Sequence, residues 1–515
     1  MKKIFTLIGA ALMAGAAMGA DTQTLPTSYL DGTLMLNEGW FGHDAATMNY
    51  VNGNGQIFYR AYQGVNSEYC LGNTSQYGQV FGNRVFVMSK QNYSGDGRTG
   101  GRFICMNATD LKFIAQSISL PGGPNDSDGR GFCAANEHKG YVGTPAGFYA
   151  IDLDTYVIGT TQLAPTESPK QSGDMIRYGN RVFVAQQGLG VVAVDPATDQ
   201  TTLINLPQIA GFTVTADGSL YAACSDANGE FVKIDPETLA TEVIDIEGSH
   251  GIASPWGTWR PAQICADRDR NIIYYVSKGG WTISSVSAYN LDTKEFTETY
   301  LSAPTGQQIY GQISTDPSTG YIVVTCTENG YGSHYANNWI YYFDPTTSAY
   351  LTDRTITLET YYWFPSMMLF NGFRAPQITQ TEWAVTPGKE LEVKLSEITT
   401  LPVGNKHLIV YSAESSDPAV CTATTDFRGN MVLAGLTKGT ATVTVTAEYQ
   451  GRLSRTAIPV TVDTNVGIGS VETDDTVCDV YDLAGRRVLT GASAADIRRL
   501  PAGIYIAGGK KIIVK

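Results

Sequence analysis

The sequence predicts an all-β chain, a closed ring of four-stranded sheets followed by two small β-sandwiches. Three observations predict it. Pairs of apolar, β-branched runs separated by Gly-containing loops recur through the first 375 residues, and each pair reads as a β-hairpin. A turn of the Asp-Pro-x-Thr kind closes the second run of many pairs, at intervals of 40 to 55 residues. After Pro376 the composition shifts to alternating Thr and Val.

The plainest copy of the repeat is residues 179–198, GNRVFVAQQGLGVVAVDPAT. Runs 181–185 and 191–194 are its two strands, joined by the short loop 186–190 and ended by Asp195-Pro196-Ala197-Thr198. Asp there accepts hydrogen bonds from nearby amides and Pro presets φ for the turn. Equivalent turns start at Asn107, Asp152, Asp195, Asp235, Asn290 and Asp344, and Asn52-Gly53-Asn54-Gly55 is a seventh. The intervals are 55, 45, 43, 40, 55 and 54 residues, the range of propeller blades, so residues 30–375 are expected to form a seven-bladed β-propeller. The first hairpin, at 31–37, has no apolar segment before it. One follows the last turn instead, at 364–370. Pairing of that segment with the first hairpin would build one blade from both ends and leave no open sheet edge.

Elements outside the ring follow in order. Lys2 and Lys3, an apolar run from Ile4 to about Met18, and small residues at Ala17, Gly19 and Ala20 predict a secretory signal peptide over residues 1–20. The run is too short for a spanning helix. Alternation at 390–395, 407–411, 441–447 and 457–462 predicts half-buried antiparallel strands, hence a small sandwich over 376–465. The last segment, 466–515, is expected to be a further small β-sandwich.

Charge and cysteine content narrow the function classes. Without Lys2 and Lys3, 33 basic residues face 49 acidic ones, and the formal net charge goes from -14 to -16. An acidic surface without basic runs argues against nucleic acid as a partner. The eight cysteines show no metal-like spacing. Cys105, Cys224, Cys265 and Cys326 lie in or beside expected strands and read as buried core thiols. Cys70 and Cys133 fall in loops, where a disulfide is open in an oxidising compartment.

Candidate site residues cluster on the propeller face that carries the hairpin loops and the loops before each innermost strand. Loop chemistry there varies while the sheets stay fixed. The candidates for ligand binding are Trp40, Phe41, His43, Tyr93, Trp256, Trp259, Trp281, Tyr331, His334, Tyr335, Tyr362 and Trp363. Aromatic side chains lose little rotamer entropy on binding and suit a large, partly apolar ligand. The competing expectation is that they cap the channel and pack loops together. His43, His250 and His334 share this face, as metal ligands if the ring gathers them and as hydrogen-bonded or solvated histidines otherwise. Asp126 and Asp128 read as turn residues. With no GxSxG, HExxH or phosphate-loop motif, no catalytic residue, metal or cofactor is expected.

Three resemblances add to this reading. TKGTATVTVTAEYQG at 437–451 resembles bacterial Ig-like domains, which implies a spacer over 376–465. VYDLAGRRV at 480–488 and LPAGIYIAGGKKIIVK at 500–515 resemble carboxy-terminal sorting domains of type IX secretion cargo, which implies export and surface attachment. LNEGWFGHD at 36–44, with the repeated turns, resembles exported YncE-like seven-bladed propellers. The BtuG branch of that family captures vitamin B12 at the cell surface and passes it to an outer-membrane transporter. The resemblance implies a non-enzymatic, corrinoid-binding face and an extracellular or outer-surface location. No Cys follows the expected leader as in a lipoprotein. A surface glycan-binding or adhesion protein, and a propeller hydrolase or lactonase, are the alternatives.

Overall fold

The structure, a computed structural model, describes residues 24–122, 127–225, 231–248, 251–256, 260–277, 282–330, 332–358, 364–464, 477–508 and 510–514. The expected leader, residues 1–20, lies outside the described residues.

Between Thr33 and Phe370 the described residues form seven four-stranded antiparallel sheets, numbered here 1 to 7 in chain order. Sheet 4 shows the pattern. Strands Ser172–Tyr178, Arg181–Gln186, Gly190–Val194 and Thr201–Asn205 hydrogen-bond in that order. Its second and third strands are apolar at nearly every position because both faces are covered, as period-two geometry requires. Val182, Val184, Val192 and Val194 point into the core shared with sheet 3. Phe183, Ala185, Val191 and Ala193 point into the core shared with sheet 5. The fourth strand lies at the rim, and Thr202, Leu203 and Asn205 are exposed.

Each neighbouring pair of sheets shares one such core. The last of these joins sheet 7 to sheet 1 through Met35, Met368, Val323 and Tyr342. The innermost strands touch in cyclic order, with that of sheet 7 against that of sheet 1. Closure comes from the chain ends. Strand Pro365–Phe370 pairs antiparallel with Thr33–Asn37, Leu34 opposite Leu369 and Met35 opposite Met368, and completes sheet 1. The fold is therefore nearly all-β and propeller-like.

The recurring turns join third to fourth strands and share one hydrogen-bond scheme. The side-chain oxygen of the first residue accepts the amide two residues on: Thr109 to Asn107, Asp154 to Asp152, Ala197 to Asp195, Glu237 to Asp235, Asp292 to Asn290 and Thr346 to Asp344, all at 2.8–3.0 Å. The fifth residue of each, from Leu111 to Ser348, takes a left-handed φ of 53° to 63° and turns the chain into the outer strand. The seventh turn uses Asn52 as acceptor and Gly55 at φ 79°, one residue shorter.

Residues 376–464 form two facing sheets over one core. One has the order Trp383–Val385, Arg452–Val462, Gly439–Tyr449, Val410–Ser415, and the other Glu390–Lys394, Asn430–Gly435, Cys421–Thr425. The Thr/Val alternation works as expected, since Ala441, Val443, Val445 and Ala447 are buried in that core while the Thr residues between them are half-buried. This unit is docked on the ring rather than held off it as a spacer would be. Gly82 donates its amide to Gln450 O at 2.7 Å, Asn405 Nδ2 donates to Thr215 O at 2.9 Å, and Phe427 stacks on Tyr178. Arg177 and Glu448 make a two-pronged ion pair at 2.9 and 2.6 Å, both side chains largely buried. Arg428 reaches Asp235 at 2.7 Å.

The tail corrects one expectation. Residues 477–514 make one four-stranded sheet with a short helix, Ala494–Ile497, in place of a second sandwich. A segment this short covers one face of its sheet by burying Ile497 with Val480, Ile512 and Val514. Cys70 and Cys133 are free, buried thiols, so the structure holds no disulfide between them. Cys133 lies in the core of sheets 3 and 4, with its thiol pushed up to about 12 by burial. Cys105, Cys224, Cys265 and Cys326 are buried as the strand pattern implied.

Candidate functional site

The end of the ring that carries the hairpin loops is built around Glu38, the first residue beyond strand Thr33–Asn37. Its amide donates to Phe364 O at 2.9 Å, and its carbonyl accepts from Ser75 N, so the backbone is tied to the strands on either side. The side chain is buried. Gln76 Nε2 donates to Oε1 at 2.6 Å and the Tyr310 hydroxyl to Oε2 at 3.3 Å. Burial pushes the carboxyl up, against the pull of Lys90, Gln76, Tyr310 and Arg260. Lys90 stands at the same end of sheet 2, and burial lowers its ammonium to about 8 against the attraction of Glu38.

The next residues turn outward. Gly39 has φ 76°, and a Cβ there would meet the backbone of Ala45 at 2.8 Å, so only glycine fits. Asn73, at the start of the innermost strand of sheet 2, then clamps the loop. Its Nδ2 donates to Trp40 O at 2.8 Å and Asp44 O at 2.6 Å, and its Oδ1 accepts from Gly42 N at 3.0 Å. Within the clamped loop Trp40 stacks on His43, with ring centroids 3.9 Å apart. Trp40 stays 43% and Phe41 55% exposed. Two large aromatics are thus displayed by a backbone that is tied down.

The remaining candidates divide. Tyr93 is half-buried in the small hairpin Tyr93–Gly95/Arg98–Gly100, within electrostatic reach of Asp44. Tyr335 packs on Phe364 at 4.6 Å, and Phe364 stacks on Tyr310 at 3.9 Å, so these rings join the Glu38 cluster. His334 pairs with Glu328 at 3.1 Å. Trp256 is held by a bond from its Nε1 to Ile209 O at 2.8 Å and lies against Gly173, where a Cβ would meet the ring at 2.8 Å. It is a packed wall of the channel mouth as well as a candidate contact. Trp259, Trp281, Tyr331, Tyr362, Trp363 and His250 lie outside the described residues, as does Asp126. Asp128 pairs with Arg130 at 3.2 Å and Arg102 at 3.5 Å, so it is more than a turn residue.

The sequence reading missed the ionisable groups of the mouth: Glu38, Lys90, Arg130, Asp174 and Arg260. Asp174 accepts the amides of Phe212 at 2.9 Å and Met175 at 3.1 Å, and burial lifts its carboxyl to about 6. Arg130 is lowered to about 10 by burial, against the attraction of Asp128. A signal was present. Glu38 directly follows the apolar second strand Thr33–Asn37, and Lys90 lies at the end of the corresponding strand Arg84–Gln91, where such a strand reaches the mouth.

The chain matches, over residues 31–371, the family described as a domain of unknown function, DUF5074, and belongs to that family. No curated protein matches it significantly. It is similar to the solved structure of a quinoprotein alcohol dehydrogenase-like protein from Bacteroides thetaiotaomicron, with TM-score 0.51 and 18% identity over 67% of this chain and 79% of that one. The extracellular domain of a hybrid two-component system from the same organism is similar with TM-score 0.39 and 14% identity, over 83% of this chain and 55% of that one. At such identity the first likeness speaks for the fold alone.

Proposed function

We propose that this DUF5074 chain is an exported, non-enzymatic binding protein whose ligand lies across the channel mouth. In this reading the seven sheets are the blades of one seven-bladed β-propeller over 30–375, residues 376–465 are an Ig-like domain, and 466–515 direct sorting to the cell surface. Export is supported by the leader-like first 20 residues. No helix among the described residues is long and apolar enough to cross a membrane.

The observation that carries the reading is the clamped loop, in which Asn73 fixes the backbone of residues 40–44 while Trp40 and Phe41 stay exposed. Exposed aromatics on a preorganised backbone bind at a low entropic cost.

The resemblance of residues 36–44 names a corrinoid as the first ligand to test, with an outer-membrane transporter as the partner that would receive it. The exposed Trp40 and His43 stack also suits the face of a sugar, so a glycan is the second. Titration calorimetry of the full chain with cyanocobalamin and with a panel of oligosaccharides tests both. Binding of one of them, weakened about tenfold or more by Trp40→Ala with Phe41→Ala, is the expected result. No heat with either ligand class overturns the reading, and turnover of a bound glycan or ester overturns its non-enzymatic part.

A further inference from the structure

The sheet that closes the ring carries a turn unlike the other six. Its sequence, Asn52-Gly53-Asn54-Gly55, holds two of the five Asn-Gly pairs in the chain. We propose that Asn54 is a site of spontaneous covalent modification, at which its side-chain amide is lost to the backbone nitrogen of Gly55 and aspartate and isoaspartate replace asparagine. The inference is independent of the channel mouth and of any ligand there.

The chemistry needs an asparagine side chain free to turn, a following nitrogen that no side chain crowds, and water. Asn228-Gly229 lies outside the described residues, and among the other four pairs Asn54 alone meets all three conditions. Asn371 is buried, and its Nδ2 donates to Tyr29 O at 3.0 Å and Ala108 O at 2.7 Å. Asn52 is the acceptor of the turn. Its Oδ1 takes the amides of Asn54 and Gln56, each at 3.0 Å, and its Nδ2 donates to Gln56 Oε1 at 3.3 Å. Asn329 is half-buried, and the His334 ring covers Gly330, where a Cβ would meet it at 2.5 Å. Asn54 is exposed, and its side chain makes no hydrogen bond among the described residues. Around Gly55 nothing lies within 4 Å of where a Cβ would stand. The Gly55 N–H donates to Asn52 O at 2.9 Å, but that bond lies at the surface, in a turn that leads into a strand of only two residues, Ile57–Phe58. Such a bond opens at little cost.

The reaction balances without an outside reagent other than water. The Gly55 nitrogen bonds to Cγ of Asn54, the Cγ–Nδ2 bond breaks, and Nδ2 leaves as ammonia with the proton given up by the Gly55 N–H. Water then opens the five-membered imide, giving its hydroxyl to the carbon and its proton to the nitrogen. Opening at Cγ yields aspartate, and opening at the main-chain carbonyl yields isoaspartate. The aspartate form adds one negative charge to a cleft already lined by Asp31, Asp316 and Asp353. The isoaspartate form lengthens the main chain by one carbon between the two amides that Asn52 Oδ1 holds, so Gln56 is drawn out of reach. Strand Ile57–Phe58 pairs with sheet 1 only at Val51 and Tyr50 and depends on that turn. The closing strand, Pro365–Phe370, lies on the other side of the sheet and keeps its pairing.

The test ages the full chain in mildly alkaline buffer and locates the products by peptide mass spectrometry with fragmentation that separates aspartate from isoaspartate. Acid at residue 54 is expected before acid at 52, 329 or 371, with ammonia released mole for mole. Conversion should quicken as pH rises, because the nitrogen attacks once it has lost its proton. Gly55→Ala is expected to slow it about tenfold or more, since a Cβ crowds that nitrogen. Asn54→Gln, which leaves Gly55 in place, should remove acid at residue 54 altogether. In the isoaspartate fraction, amides of residues 56–58 should exchange about tenfold faster than in fresh protein, the loss of one hydrogen bond, with the melting of the ring unchanged. An intact Asn54 after one of the other three has converted, no conversion at any of the four, or Gly55→Ala converting as fast as wild type each overturns the inference. Equal exchange at 56–58 in fresh and converted protein overturns its structural consequence.

Discussion

The two ends of the ring satisfy their carboxylates differently, although both carry sheet-to-sheet bonds, as Arg181 to Pro236 O and Arg270 to Pro345 O do at the turn end. At the turn end each Asp or Asn bonds to amides two or three residues away, as Asp235 does with Glu237 and Thr238. At the loop end the bonds cross the fold. Glu38 meets Gln76 and Tyr310, 272 residues away from the latter, and Asp174 meets Phe212, 38 residues on. Local bonds make the turn end regular and repeatable. Long-range bonds make the loop end individual, and they bury ionisable groups that a packing role alone would leave out. The turn end, in addition, is where the second unit docks through Arg177 and Glu448.

The largest test concerns what both ends depend on, the closure of sheet 1. Met367 is buried in the core of sheets 1 and 2, and Met368 in the core of sheets 7 and 1. Met367→Lys with Met368→Lys buries two unpaired charges at the seam and should cost more than about 5 kcal/mol. Calorimetric scanning is expected to show the ring transition lost as a unit; loss of sheet 1 alone would break the picture of a ring whose ends share one scaffold.

At the turn end, Glu448→Ala leaves the Arg177 guanidinium buried without its partner, at a cost of about 3 kcal/mol. Limited proteolysis should then release the unit of residues 376–464 from the ring, while the double change Arg177→Met with Glu448→Leu largely restores docking. Equal protection of wild type and Glu448→Ala would mean that the docking rests on the Gly82 and Asn405 contacts instead.

At the loop end, Asp174 gives a pH signature that the turn carboxylates do not. Its carboxyl ionises near 6 in the folded protein and at the usual 3.8 when unfolded. The folded state therefore holds the proton longer. The contribution to stability is full below pH 3.8 and is lost as pH rises through 6, about 3 kcal/mol in all. Turn residues Asp152, Asp235 and Asp344 are shifted the other way, chiefly by amide and Thr hydrogen bonds. Melting of wild type and Asp174→Asn across about pH 5 to 8 should move in the variant's favour as pH rises. A gap that does not change with pH would remove the contrast between the ends.

The smallest effect is expected at the clamp. Asn73→Ala removes three hydrogen bonds to residues 40–44 and should cost about 2 kcal/mol, confined to that loop. Faster amide exchange at Gly42, with ring stability nearly unchanged and ligand affinity reduced, is the outcome that fits. Unchanged exchange would show that the loop needs no clamp.

Residue patterns explain why much of the fold was readable from the chain. The strands of residues 181–194 follow from period-two apolar runs, and the turn that ends them from Asp195 bonding its own neighbours. The pairing of residues 364–370 with the first hairpin was readable because a ring of such units leaves one strand missing at the start and one spare at the end. The single sheet of the tail was not, since alternation marks strands without saying how many layers they make. The site was readable only in part. Trp40 and Phe41 stood out because exposed aromatics in a Gly-rich loop have no local reason to be there. For Trp256 the chain leaves ligand contact and loop packing both open, because Gly173, 83 positions earlier, supplies the gap its ring fills.

What the sequence determined by itself is thus everything that neighbours along the chain can decide: strand, hairpin, turn, and which face of a strand is apolar. Those choices depend on dihedral preference and on bonds closed within a few residues. Only the tertiary structure decided that Glu38, Lys90, Arg130 and Asp174 meet at one mouth, that Arg130 and Arg260 face one slot, and that the second unit caps the opposite end. Burial is the physical reason. A carboxylate or guanidinium on the chain is an ordinary surface group until distant strands remove its water, and no spacing along the sequence records which strands those are.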